Sequence, residues 1–281
     1  MRKFFQAIGM ITLLCFSFFY TERTVSVVKD FDSIMVEVKE KSSQYNVQPK
    51  EATVKGNTII PGKMGKTVDI NKSYIKMKEY GKFDPKLLVY DNQPPQKRIT
   101  KNYDKFVISG NKQQRSVGLI FLVGEHDSID EILRILAKKD TPATFFIDGN
   151  WLEQHIESLK LFLASGHTVG NLSYHQNYQD SSFVWVDTII KRIGKQKQSY
   201  CYAENKEQNI IDVCHLYEDI TITPNIITEK TPLLDIKKKL EPGSMIKLEV
   251  NDTTKEELPS IIQFIKSKGY QLENLEHLIQ E

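Results

Sequence analysis

The sequence predicts an α/β fold whose mainly parallel sheet is closed, or nearly closed, into a barrel. Three features carry that expectation. From Arg115 onward, short apolar runs alternate with longer helical segments, the signature of repeated strand–helix units. The first run, residues 117–123, lacks a polar–apolar alternation, as suits a strand covered on both faces. With 281 residues, 40% of them hydrophobic, the chain is also long enough to bury a sizeable core.

Taken in order, strands are expected at 117–123, 143–148, 168–171, 220–223 and 245–250. Helices are expected at 129–139, 151–165, 184–193, 208–216 and 258–268. Side chains that do chemistry in such a fold gather at the C-terminal strand ends. Residues 115–281 are assigned to this unit.

Upstream, Met1-Arg2-Lys3 precedes an apolar run over 4–20 that is broken by Gln6, Gly9 and Ser17 and closed by Thr21-Glu22-Arg23, the pattern of an export signal. Its end is bulky and has no Ala-x-Ala cleavage pattern. Residues 1–23 are therefore expected to stay as a single-pass membrane anchor, leaving the remainder outside the cytoplasm; cleavage, giving a secreted protein, is the alternative. Cys15 follows Leu14, a poor context for lipidation. Residues 24–50 read as a juxtamembrane stalk, in which Ile34, Val36 and Val38 alternate with Met35, Glu37 and Lys39 as in a strand. Residues 51–114 read as a small, mostly β domain, with short strands near 58–60, 67–70, 87–90 and 106–108. Its one helix, near 72–80, is capped by Asp69 or Asn71. The stretch Pro61-Gly62-Lys63-Met64-Gly65-Lys66 lacks the spacing of a phosphate loop and reads as a turn.

The net charge of +2, with lysines dispersed among acids, argues against a nucleic-acid partner. Of three cysteines, Cys201 and Cys214 lie in the folded part; they either pair in an oxidising compartment or pack as free thiols. Nothing in the sequence speaks to oligomeric state.

Several stretches then fall in a familiar order. Thr141-Pro142-Ala143-Thr144-Phe145-Phe146-Ile147-Asp148-Gly149 is followed by Trp151, by Gly166-His167-Thr168-Val169-Gly170-Asn171, by Gly243-Ser244-Met245-Ile246-Lys247-Leu248, and by Lys268-Gly269-Tyr270 within the last helical region. Over about 165 residues, this series resembles the polysaccharide deacetylase family, the NodB-type deformed (β/α) barrel of carbohydrate esterase family 4. The resemblance implies a divalent metal on one Asp and two His, a second Asp as base and a late-strand His as acid.

At the matching positions those groups are absent. The place of Thr-Phe-Asp-Asp-Gly is held by Ile120-Phe121-Leu122-Val123-Gly124, and the two histidine positions by Leu172 and Gln176. The Arg-Pro-Pro loop aligns with Cys201-Tyr202-Ala203, the region of its supporting Asp with Thr223-Pro224-Asn225, and the late Leu-His with Leu248-Glu249. His167 matches a position that is commonly His in the family and is read as structural. Hence the resemblance implies a deacetylase-like protein without family chemistry, cofactor or metal, serving as a module that binds cell-wall glycan, peptidoglycan or a wall-synthesis partner. Tyr174, Tyr178, Trp185, Tyr200 and Tyr202 are candidates for stacking on sugars, or for ordinary packing. A second reading keeps an active deacetylase, with zinc or another divalent metal relocated onto His126, Asp127, His175 and Glu249. A third makes the barrel a spacer and residues 51–110 the interacting part.

Overall fold

A computed structural model describes residues 32–195 and 198–281, together with Met10. Apart from Met10, the expected anchor over 1–23, with Cys15, and the start of the stalk lie outside these residues. Among the described residues, no helix is long and apolar enough to cross a membrane.

The described chain divides into two compact units. In one, residues up to Pro49 join Gly65–Gln93; the other combines Lys50–Met64 with Pro94–Glu281. This differs from the expected division into 24–50, 51–114 and 115–281, because strand pairing reaches across those boundaries. In chain order, the strands are β1 (Thr53–Lys55), β2 (Thr58–Ile60), β3 (Gly65–Val68), β4 (Tyr90–Gln93), β5 (Phe106–Val107), β6 (Ser116–Val123) and β7 (Thr144–Ile147). They continue with β8 (Thr168–Asn171), β9 (Tyr200–Tyr202), β10 (Ile220–Ile222), β11 (Ile226–Ile227), β12 (Met245–Glu249) and β13 (Gln271–Leu272).

In the smaller unit, β3 and β4 pair antiparallel beside helices Ser33–Ser42 and Ile70–Tyr80. The part of the stalk whose alternation suggests a strand is thus helical over Ser33–Ser42. Asp32 caps the first helix by accepting from the Ile34 amide, and Met35, Val38 and Ser42 are buried at spacings of three and four while Val36 faces solvent. Val38 shares a core cluster with Val68, Met77 and Leu88, so tertiary packing overrides the local alternation. Asp69 caps the second helix as expected, accepting from the Lys72 amide at 2.9 Å. The strand expected at 87–90 begins only at Tyr90, as β4, after a 3-10 turn at Pro85–Leu87.

In the larger unit, the sheet runs β1-β2-β5-β10-β9-β8-β7-β6-β12-β11, with β13 also on β6. All its pairings are parallel except β1 with β2. The sheet is curled and open. The short strands β2 and β5 extend it beyond β10, covering an edge that would otherwise expose unpaired backbone groups.

Alternation along β6 sorts its side chains into two layers. Val117, Leu119, Phe121 and Val123 pack outward in the cluster that holds Ile132, Leu136, Ile261, Ile262 and Ile265 from flanking helices. Ile120 and Leu122 point inward, to a second cluster with Phe146, Leu172, Tyr200, Tyr202, Ile222 and Met245.

Most expected elements are present within a residue or two, with instructive exceptions. The helix expected over 151–165 is two helices, Gly149–Gln154 and Ile156–Ala164, broken at His155, whose Nδ1 lies 2.8 Å from the Trp151 carbonyl oxygen and whose ring stacks on Trp151. The last long helix starts earlier, at Asp252, capped by Asn251, and runs through Pro259. Helix Pro232–Lys239 was not expected, and the segment expected as a loop at Cys201-Tyr202 is part of β9.

Candidate functional site

The inward residues at the ends of β6, β7, β8, β9 and β12 form the cup where the resemblance would place a metal. Leu122 is opposite Phe146 in the β6–β7 register, and Phe146 is opposite Gly170 in the β7–β8 register. A Cβ at Gly170 would lie 2.3 Å from the Phe146 ring, so this glycine lets the ring lie against the backbone of β8. Leu122 is 4% exposed, Leu172 3% and Phe146 fully buried. On the far side Tyr202 approaches Phe146 at 5.5 Å between ring centroids. These side chains fill the cup on the β6–β8 side with apolar groups.

Val123 does not join them. It belongs to the outer cluster, against the helices, so of the three apolar residues at the family's motif positions only Leu122 and Leu172 line the cup. Gln176 is exposed on the loop after β8, where Ser173, His175 and Gln176 all have positive φ. Ser173 Oγ donates to the Asn177 carbonyl oxygen at 2.6 Å, holding that loop in a tight irregular turn. The helical turn that would aim positions 172 and 176 at one point is not formed.

The residues considered for a relocated metal site also go separate ways. Asp127 accepts from the Gly124 amide at 2.7 Å, and burial pushes its carboxyl above the usual carboxylate range despite that bond. His126 is exposed beside a cavity of about 370 Å³ that Asp127, Trp151 and His155 also line. His175 is exposed on the rim; its amide donates to Asp148 at 2.6 Å, and its Nε2 lies 2.9 Å from Asn150 Nδ2 and 3.7 Å from Glu125. Glu249 is engaged by Lys247. Among the described residues, no three His, Cys, Asp or Glu side chains gather as metal ligands. The donor set does not fit the divalent ion implied by the resemblance: Leu122, Val123 and Leu172 offer no donor, and Gln176 faces solvent.

On the β9–β12 side of the cup Glu249 belongs to a charged set whose other members, Lys247 and Glu204, the sequence reading does not single out. Lys247, on the inward face of β12, has a side chain only 8% exposed, and its ammonium sits between Glu249 and Glu204, 3.3 Å from the latter. Tyr202 donates its hydroxyl to the same Glu204 oxygen at 3.0 Å. Burial would lower the Lys247 pKa, but Glu249 and Glu204 outweigh it and hold the group above the ordinary lysine range. The available signal was a lysine within the apolar run 245–248, since lysine is seldom buried unless paired.

Cys201, at the place of the family's arginine, points away from the cup and forms a disulfide with Cys214, both sulfurs lying in a buried cluster with Phe106, Phe183 and Ile210. His167 is buried and its Nδ1 accepts from the Ala143 amide at 3.1 Å, so the ring is neutral; burial lowers its pKa to about 4. Of the aromatic candidates, Tyr178, Tyr200 and Tyr202 are buried packing residues, whereas Tyr174 and Trp185 are half-buried, with ring centroids 6.1 Å apart.

Comparison with known proteins agrees with this architecture. Residues 109–211 match the family model for polysaccharide deacetylase. The chain is 29% identical over 279 residues to YlxY of Bacillus subtilis, an uncharacterized protein, covering 92% of this chain and 87% of that one. It is 25% identical over 126 residues to the peptidoglycan-N-acetylmuramic acid deacetylase PdaA of the same organism, covering 43% of this chain and 47% of PdaA. Among solved structures, a CE4 family pseudoenzyme from Bacillus anthracis superposes with a TM-score of 0.66 at 24% identity, covering 89% of this chain and 96% of that one. A mutant of that protein is described as having restored enzymatic activity.

Proposed function

We propose that this chain, whose residues 109–211 match the polysaccharide deacetylase family model, is a non-catalytic relative of that family that binds cell-wall glycan outside the cytoplasm, held there by its N-terminal segment. The observation that carries the reading is the burial of Leu122 and Leu172 with Phe146 in one apolar cluster. Metal-assisted amide hydrolysis needs an ion to polarise the carbonyl and lower the pKa of the attacking water. A dry leucine–phenylalanine plug supplies neither ligands nor space for that water.

The substrate class is supported by the partial similarity to a peptidoglycan deacetylase. Tyr174 and Trp185, half-buried beside the loop that carries His175, offer apolar faces on which a sugar ring can stack. The disulfide supports an oxidising location, as does the export-type pattern at the N-terminus.

The test is co-sedimentation of the purified protein with peptidoglycan sacculi, run beside an acetate-release assay with added zinc. Retention without acetate release is expected, with retention reduced in Trp185→Ala. Acetate release that depends on metal would overturn the non-catalytic part, and loss of retention in the intact protein would overturn the glycan-binding part.

A further inference from the structure

The disagreement between the cup and the metal implied by its fold has a specific chemical form. We propose that the Lys247 ammonium is a resident cation that takes the place of a divalent metal in the strand-end cup, with Glu204 and Glu249 as its carboxylate partners. The proposal rests on the non-catalytic reading of the cup, although its readout is metal uptake rather than glycan retention or acetate release, so that each fails separately.

Position is the first argument. Glu249 is the β12 residue in register with Leu122 of β6, and Lys247 is in register with Ile120, so the lysine rises from one layer below the apolar plug. Its side chain is 8% exposed while Glu204 and Glu249 are 38% and 47% exposed. The ammonium is thus the inner group of the cluster, and the two carboxylates close over it from the solvent side.

Electrostatics is the second. Two carboxylates brought this close repel unless a cation lies between them. A Lys ammonium is a compact point charge with three donors, and its tether keeps it at the site at every metal concentration. The Tyr202 hydroxyl completes the set by donating to the Glu204 oxygen that also faces Lys247. An incoming divalent ion would have to approach an ammonium already held there.

It follows that returning the family's side chains at 122, 123, 172 and 176 is insufficient to create a metal centre while Lys247 remains. Removing the lysine should expose a carboxylate pair of the oxygen type that suits Mn²⁺. The experiment is a Mn²⁺ titration of the full chain followed by electron paramagnetic resonance of the free ion, with the unfolding midpoint measured in parallel. Wild type is expected to take up no Mn²⁺ at the site. Lys247→Ala and Lys247→Met, the second retaining an apolar stem for packing, should each show weak saturable uptake of about one ion per chain and an upward midpoint shift with Mn²⁺. Both gains should vanish when Glu204→Gln and Glu249→Gln are added.

Stoichiometric Mn²⁺ on wild type overturns the proposal, as does absence of uptake by a folded lysine variant. Should both lysine variants fail to fold, Glu204→Gln/Glu249→Gln in the Lys247 background decides. Its unfolding midpoint must drop if the lysine depends on those carboxylates, and an unchanged midpoint overturns the proposal.

Discussion

On the β6–β8 side of the cup, Leu122, Phe146 and Leu172 meet in a dry cluster, whereas on the β9–β12 side Tyr202, Glu204, Lys247 and Glu249 keep a charged, hydrogen-bonded set. The two sides belong to one curled sheet and differ in what their inward positions can tolerate. Where neighbours offer no counter-charge, only apolar side chains can be buried without large cost. Where a lysine is already buried, carboxylates beside it are favourable. Polarity at each strand end is therefore set by its partners across the sheet, and the same substitution should have opposite consequences on the two sides.

The largest break in that comparison is Leu122→Asp, which returns a carboxylate to the dry side. Its partner in the β6–β12 register is Glu249, and Lys247 is already held by Glu204 and Glu249, so the new carboxylate has no cation of its own. A buried charge left uncompensated in this way costs about 3–5 kcal/mol, so denaturant unfolding should show a loss of that order, reduced at acid pH where the carboxyl protonates. A loss under about 1 kcal/mol at neutral pH would mean that water already reaches Leu122.

The tether behind β9 comes next. Cys201 and Cys214 are 13 residues apart, and closing a loop of that length stabilises a fold by about 3 kcal/mol in the chain-entropy model. Cys201→Ala/Cys214→Ala should lower the unfolding free energy by that order. Reductant should reproduce the effect in the wild type and have none in the variant.

The dry layer around β7 and β8 makes a pH prediction. His167 has a folded pKa of about 4, below its ordinary value of 6.5. Between these values the unfolded chain binds more protons than the folded one, so stability falls as pH drops from about 6.5 to about 4. The full difference is about 3 kcal/mol. Urea titrations across that window should show the decline, and His167→Gln should flatten it. An equal slope in both proteins would assign it to other groups.

The smallest expected effect is Glu249→Gln on the charged side. Its side chain is 47% exposed and the buried Lys247 keeps Glu204 as a second partner, so the loss stays near that of an exposed ion pair, up to about 1 kcal/mol. A midpoint change within that range, beside the large loss from Leu122→Asp, would sharpen the contrast; equal losses would erase it.

How much of this was legible beforehand depends on the range of the interactions involved. Strand β6 and helix Asp130–Lys138 were visible as an unbroken apolar run and the amphipathic segment after it, because periodicity and burial are written into neighbouring residues. The helix Ser33–Ser42 was misread because its alternating apolar residues fit a strand as well; its partners Val68, Met77 and Leu88 lie far along the chain. At the site, the replacement of the family's groups by Leu122, Val123, Leu172 and Gln176 could be read from their identities alone. The charged set could not, since Glu204 and Lys247 are 43 residues apart and are joined only across the curled sheet.

By itself, then, the sequence determined the strand–helix order, the apolar run of β6, a helix cap at Asp69 or Asn71 and which side chains stand at the positions that match the family's motifs. Each of these follows from a residue's own chemistry or from its immediate neighbours. Tertiary structure alone decided that Val123 turns to the helices while Leu122 turns inward, that β2 and β5 extend the main sheet, and that Lys247 stands between two carboxylates. These are outcomes of which strands become neighbours and which face each presents, and the parallel pairings that set them join residues distant in the chain.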